Sequence, residues 1–339
     1  MTTENSSDRI AVIGAGSWGT ALAARLAANG HDVLLWAYEH EVMQEINASQ
    51  TNSLYLPGIA LPPSLRSTTG LAEAVSGREI VLLVTPVQVM RGVLRQLADT
   101  IRSSAIIANA SKGIELATLN TVSQICGELL PSGITDRYVA LSGPTFAREV
   151  AQGLPSLIVA ASRDEQAARR VQAAFSCPNL RVYTNNDVTG VELGGAVKNV
   201  IAIAAGICDG LGFGHNARAA LITRGLAEMN RLGQAMGAFS STFSGLAGMG
   251  DLVLTCTGDL SRNRTVGFKL GQGMRLADIL AEMRMVAEGV KSAESVFNLS
   301  IRQGVEMPIV EQTYRILHED KPAREAVTEL MGRDLKAEG

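Results

Sequence analysis

The chain has 339 residues, 46% of them hydrophobic, with 30 Lys and Arg against 33 Asp and Glu for a net charge of −3. That length allows two domains with proper cores, and the faint acidity gives no reason to expect binding to nucleic acid or an anionic membrane surface. The polar start MTTENSSDRI lacks the basic flank and apolar core of a signal peptide. The scattered Cys126, Cys177, Cys208 and Cys256 form no CxxC pair, and His31, His40, His215 and His318 are isolated. The expectation is a cytoplasmic, reduced protein with no metal and no integral membrane segment.

A short apolar strand over 10–13 runs into Gly14-Ala15-Gly16-Ser17-Trp18-Gly19, followed by a helix over 20–29 and a second strand over 33–36. Strand, GxGxxG, helix, strand is the context that a dinucleotide fingerprint requires. Gly14 permits the tight turn, Gly16 lets the backbone approach a pyrophosphate, and Gly19 allows helix to pack on strand. The helix N-terminus offers N–H groups and the positive end of its dipole to phosphate. Cofactor choice turns on the residues after the second strand, Ala37, Tyr38, Glu39 and His40. Glu39 lies at about the distance expected of a ribose-binding acid, but beyond the strand end, and 37–41 holds no Arg or Lys. The reading is a site for NADP(H), NAD(H) or both.

Further strands are expected at 79–84, 105–109, 138–141 and 157–161, with helices between them, which implies a doubly wound, largely parallel sheet. Functional groups in such sheets gather at the strands' carboxyl ends. Ser111-Lys112-Gly113 and Ser142-Gly143-Pro144-Thr145-Phe146-Ala147 fall there. They could hold an anionic substrate beside a nicotinamide, or be ordinary loop chemistry. The segment 56–64 reads as a surface loop.

After Val182 long helical stretches replace the alternation: 191–208, 216–236, 276–285, 288–303 and 308–318. The expected division is 1–188 for dinucleotide binding and 189–339 for an all-helical substrate and catalytic domain. The helix from Val191 to Ile207 is apolar all round, the mark of a buried helix, yet carries Lys198 at its centre. Gly194, Gly195, Ala202 and Ala205 share the lysine's face, giving it a groove of small residues. A lysine so placed is either a site residue whose proton affinity burial lowers, or one that snorkels to solvent along its stem. Gly248-Met249-Gly250-Asp251 reads as a tight turn able to aim a carboxylate at that lysine, unless Asp251 is a plain helix cap. Ser261-Arg262-Asn263-Arg264 offers guanidinium forks for phosphate, or is a solvated turn. Ala287-Glu288-Gly289 begins a helix.

Together GAGSWGTALA, SKGIE, SGPTFAREV, LGGAVKNVIAIAAG, ARAALITRGLAEM, GMGDLVLTC and SRNR, in this order from Ile10 to about Arg333, resemble the bacterial NAD(P)-dependent glycerol-3-phosphate dehydrogenases. The resemblance implies a Rossmann domain followed by an all-α domain of the 6-phosphogluconate-dehydrogenase type. It also implies reduction of dihydroxyacetone phosphate to sn-glycerol 3-phosphate for glycerophospholipid synthesis, commonly by a homodimer. It assigns Lys198 as general acid/base and Asp251 as its orienting partner and a substrate ligand. Lys112, Gly143, Thr145, Ser261, Arg262 and Asn263 would complete the substrate site. Gly14, Gly16, Ser17, Trp18, Gly19, Tyr38, Lys112, Ala147, Arg262, Val286 and Glu288 would meet the dinucleotide. Tyr38 stands where many relatives have a basic residue, and Thr145 where they often have Ser. Two other readings are a hydroxy-acid reductase on the same fold, which would need a carboxylate site, and a non-catalytic dinucleotide sensor, which would not need Lys198, Asn199 and Asp251.

Overall fold

The computed structural model describes residues 7–283, 287–335 and 337. They form two compact units. One holds the described residues up to Glu115 with Asn120–Glu192, the other Leu116–Leu119 with the described residues from Leu193 onward.

The first unit alternates strands and helices, beginning β1 (Arg9–Ile13), α1 (Ser17–Ala28), β2 (Asp32–Trp36), α2 (His40–Ser49), β3 (Arg66–Thr68), α3 (Leu71–Val75), β4 (Ile80–Leu83) and α4 (Val87–Leu97). It continues with β5 (Ile106–Asn109), α5 (Val122–Leu129), α6 (Ser132–Thr135), β6 (Tyr138–Ser142), α7 (Ala147–Gln152), β7 (Ser156–Ala161), α8 (Glu165–Phe175) and β8 (Leu180–Asn185). The eight strands lie in one sheet in the order β3-β2-β1-β4-β5-β6-β7-β8. Every pairing is parallel except β6 with β7. Helices cover both faces of a parallel sheet, so its strands run continuously apolar: all of β4, IVLL, is buried. The strand order reverses between β1 and β4, and the carboxyl ends there are where such sheets bind ligands.

β8 runs into α9 (Val188–Gly210), the first and longest of the remaining helices. Glu192 in this helix is buried and accepts hydrogen bonds from Tyr138 Oη at 2.6 Å and from the Ser123 backbone N–H at 2.9 Å. Burial pushes its carboxyl above the usual range. By length and composition α9 could cross a membrane, but 94% of its apolar window is buried inside the protein, which is the character of a core helix.

The second unit continues with α10 (Gly214–Ala235), α11 (Ser240–Phe243), a π-helical turn (Leu246–Gly250), α12 (Asp251–Thr257) and α13 (Arg262–Gly271). It closes with α14 (Leu276–Glu282), α15 (Glu288–Gln303), α16 (Pro308–His318) and α17 (Ala323–Met331). Among the described residues no strand follows β8. An α/β sheet followed by helices alone is what the sequence implied. The differences are local: β7 runs antiparallel to β6, β3 and β8 were not expected, and GMGD forms part of a π-helical turn rather than a tight one.

The crossing of α9 with α13 organises this unit. A methyl group on Gly206 would stand 2.0 Å from the Arg264 carbonyl oxygen, and one on Gly267 would stand 2.0 Å from that of Ile203. Gly210 and Gly271 leave as little room one turn further on, with 2.2 and 2.5 Å. Two helices with glycine at such facing positions can pack backbone on backbone, and here they do.

Candidate active site

The glycine loop after β1 is shaped for a phosphate. Gly14 has φ +123°, and a Cβ there would press on the Val84 carbonyl oxygen at 2.7 Å, so the turn admits glycine alone. A Cβ on Gly19 would meet the Gly14 carbonyl oxygen at 1.8 Å, which is the close helix-to-strand contact expected. Gly16 differs. It is the N-cap of α1, no side chain caps that helix, and nothing lies within 4 Å of where its Cβ would be. This open, uncapped helix start is a cradle that a dinucleotide pyrophosphate fits. Asn52, wholly buried, braces it by donating to the Ala15 carbonyl and to Thr20 Oγ1, each at 2.9 Å. Sequence reasoning missed Asn52, since an asparagine in a polar loop carries no signal of its distant partners.

Beside the loop, Ser17 and Trp18 open α1 and are half-buried. Tyr38 is 80% exposed, with its ring edge-on to Trp36 at 6.2 Å. Glu39, the candidate ribose acid, is the N-cap residue of α2 and accepts from Tyr55 Oη at 2.8 Å.

At the carboxyl ends of β5 and β6 three expected residues come together. Lys112 Nζ donates to the Gly143 carbonyl at 3.4 Å, and Thr145 Oγ1 donates to the same oxygen at 3.2 Å. Gly143 has φ +148°, and a Cβ there would lie 2.9 Å from Ile158 Cα, so this turn too requires glycine. Ala147 follows as the first residue of α7.

In the second unit Lys198 does not snorkel. It is 6% exposed, and its Nζ donates to Asp251 Oδ1 at 2.5 Å and to Thr255 Oγ1 at 2.9 Å. Thr255 Oγ1 in turn donates a hydrogen bond to the Asp251 backbone carbonyl at 2.6 Å. Two of the ammonium's three donors are thereby fixed, and so is its rotation. The small residues on α9 explain how the carboxylate arrives. A methyl group on Gly194 would stand 2.4 Å from the Ala247 carbonyl oxygen, so the π-helical turn packs directly on α9 and starts α12 with Asp251 beside the lysine. Asp251 is therefore the lysine's partner, not a cap. Thr255 was not anticipated, although its position one helical turn after Asp251 places both on one face.

The SRNR residues divide their work. Ser261 Oγ caps α13 by accepting from the Arg264 backbone N–H at 3.2 Å. Arg262, the first residue of α13, is exposed. Asn263 Nδ2 donates to Asn199 Oδ1 at 2.9 Å, and its Oδ1 accepts from the Gly289 backbone N–H at 3.0 Å. Arg264 donates to Asp209 at 2.9 Å and to Asp259 at 3.1 Å, while Arg218 reaches Asp209 from α10 at 2.6 Å. Arg264 thus ties α13 to α9. Glu288 is the first residue of α15; Val286 lies outside the described residues. Among the described residues no group of three His, Cys, Asp or Glu side chains is placed to hold a metal ion.

The N-terminal model of NAD-dependent glycerol-3-phosphate dehydrogenase matches residues 9–168, and its C-terminal model matches residues 187–328. A glycerol-3-phosphate dehydrogenase [NAD(P)+] of Trichlorobacter lovleyi is 70% identical over 330 residues, covering 97% of this chain and 99% of its own. The enzyme of the same name from Geobacter sulfurreducens is 65% identical over 332 residues, with 98% and 99% covered. The crystal structure of glycerol-3-phosphate dehydrogenase from Coxiella burnetii superposes with a TM-score of 0.91 at 40% identity, over 96% of this chain and 99% of that one. The chain belongs to the NAD-dependent glycerol-3-phosphate dehydrogenase family.

Proposed function

We propose that the chain reduces dihydroxyacetone phosphate to sn-glycerol 3-phosphate with NADPH or NADH, and that Lys198 is the general acid. The observation that carries this reading is the buried lysine held by Asp251 at 2.5 Å and by Thr255 at 2.9 Å. Burial with two fixed partners holds the ammonium in one orientation, which is what a proton donor to a bound ketone requires.

When bound, the nicotinamide supplies the hydride. Lys198 Nζ delivers its proton to the C2 oxygen as the carbonyl becomes an alcohol, and retrieves it in the reverse direction. Asp251 keeps the ammonium charged and oriented, and Thr255 fixes its third dimension. Arg262, exposed at the positive end of α13, presents a two-pronged donor suited to phosphate oxygens, with Ser261 and Asn263 beside it. Lys112, Gly143 and Thr145 complete the substrate's surroundings. Gly14, Gly16, Ser17, Trp18, Gly19, Tyr38, Ala147 and Glu288 hold the dinucleotide. In this reading 1–188 is the dinucleotide-binding domain and 189–339 the all-helical substrate and catalytic domain.

The same proposal includes a cytoplasmic homodimer feeding glycerophospholipid synthesis. Four free cysteines suit a reducing compartment, and exposed Met249 and Val253, four residues apart, offer apolar surface to a second copy. The hydroxy-acid and sensor readings are not favoured: the basic groups suit phosphate, and the lysine keeps its partners.

The test is oxidation of NADPH and of NADH by the purified protein with dihydroxyacetone phosphate or unphosphorylated dihydroxyacetone. Turnover confined to the phosphorylated ketone supports the reading, and equal turnover of both ketones removes the phosphate site from it.

A further inference from the structure

Asn263 is a cap for a helix to which it does not belong. The first turn of any helix leaves backbone N–H groups without intrahelical partners. In α15 the N-cap residue is Ala287, which has no side-chain acceptor to offer. The Gly289 N–H is instead taken by Asn263 Oδ1 at 3.0 Å, from the first turn of α13. The other end of the same amide donates to Asn199 Oδ1 on α9 at 2.9 Å. All three residues are buried.

The fit leaves no slack. A methyl group on Gly289 would lie 2.7 Å from Asn263 Oδ1 and 2.9 Å from the Asn199 carbonyl oxygen, so α15 starts directly on the α9 backbone. Asn199 is the residue after Lys198. The glycine contacts described above pack α9 directly on α13, and the asparagine pair fastens α15 to both at the level of the lysine.

We propose that Asn199 and Gly289 are positioning residues for the reductase reaction. Acting through Asn263, they set Glu288 at the head of α15 and Arg262 at the head of α13 in one register with Lys198. This rests on the reaction proposed above, in which Arg262 meets the substrate phosphate and Glu288 the dinucleotide. One chain of hydrogen bonds then governs the binding of both ligands while leaving the Lys198–Asp251 pair untouched.

The experiment compares the full-length wild type with Asn199→Ala, Gly289→Ala, Asn263→Ala and the double variant Asn199→Ala/Asn263→Ala. The readouts are KM for dihydroxyacetone phosphate and for the reduced dinucleotide, kcat against pH, and melting temperature. Asn199→Ala removes the acceptor without adding bulk, so it keeps the test alive if Gly289→Ala fails to fold. The expected result is a rise of about tenfold in both KM values, the equivalent of one net hydrogen bond, with the pH profile of kcat unmoved. The double variant is expected to be no worse than Asn263→Ala alone. A lower melting temperature with unchanged KM values would make the residues merely structural and overturn the proposal, as would additive effects or a shifted pH profile. Absence of turnover in the wild type would strike the proposed reaction instead, so the two failures are distinct.

Discussion

Lys198 and Asp251 form an ion pair at 2.5 Å with side chains only 7% and 0% exposed. Taking both charges out of water costs about as much as their attraction returns, so such a pair adds little net stability, yet removing one partner strands the other. Lys198→Met and Asp251→Leu are each expected to lower unfolding stability by about 3–5 kcal/mol. The double variant should recover most of that loss while remaining inactive. Denaturant unfolding of the three variants checks it; a double variant no more stable than either single would make the pair a net stabilising element.

Thr255 donates to the Asp251 carbonyl and accepts from Lys198, so its hydroxyl serves the lysine's aim. Thr255→Val keeps the shape and deletes the hydroxyl. A hydrogen bond to a charged group is worth about 1.5–3 kcal/mol, so kcat should fall about 10- to 100-fold. Dinucleotide affinity, measured by fluorescence titration, should stay as it was. An unaltered kcat would remove Thr255 from the proton-transfer machinery.

The glycines of the α9–α13 crossing differ from those in open helices. A methyl at Gly206 would drive into the Arg264 carbonyl, whereas at Gly92, inside α4, nothing stands within 4 Å. Gly206→Ala should cost about 3 kcal/mol or more through overpacking. Gly92→Ala should add about 0.5–1 kcal/mol by restricting the unfolded chain. Melting temperatures moving in opposite directions confirm the contrast.

Glu228 on α10 accepts from the backbone N–H groups of Ile309 and Val310 at the start of α16, at 2.7 and 3.2 Å. Burial nevertheless raises its carboxyl from 4.5 to about 7. The folded protein therefore keeps a proton that the unfolded chain releases between those values. Stability contributed by the protonated form is complete below the unfolded value and is lost as pH rises through the folded one. Relative to Glu228→Gln, which does not ionise, the wild type should lose about 3 kcal/mol between pH 4.5 and pH 8 in urea unfolding. A difference independent of pH would contradict this.

Much of this was legible because local pattern and tertiary role coincide. The glycine loop showed its context in the apolar run before it and the helix after it, and α9 declared its burial by being apolar on every side. Gly194 and Lys198 on one helical face pointed to a confined lysine. What stayed hidden depends on partners far along the chain. The three residues of β3 are too few to show a period, and the reversal of β7 leaves no mark on its own side chains. GMGD looks like a turn because glycine usually marks one, yet a methyl on Gly248 would stand 2.2 Å from the Phe243 carbonyl oxygen, so its glycine serves close packing. Asn52, Thr255 and the Asn199–Asn263 pair act through single hydrogen bonds, which no periodicity reports.

The central claim is that Lys198 moves the proton and does not hold the dinucleotide. The measurement that tests it most directly is turnover of dihydroxyacetone phosphate by Lys198→Ala alongside its NADPH and NADH affinities. The account predicts turnover reduced by at least about a thousandfold, with affinities within about twofold of the wild type. Turnover near the wild-type rate would contradict it.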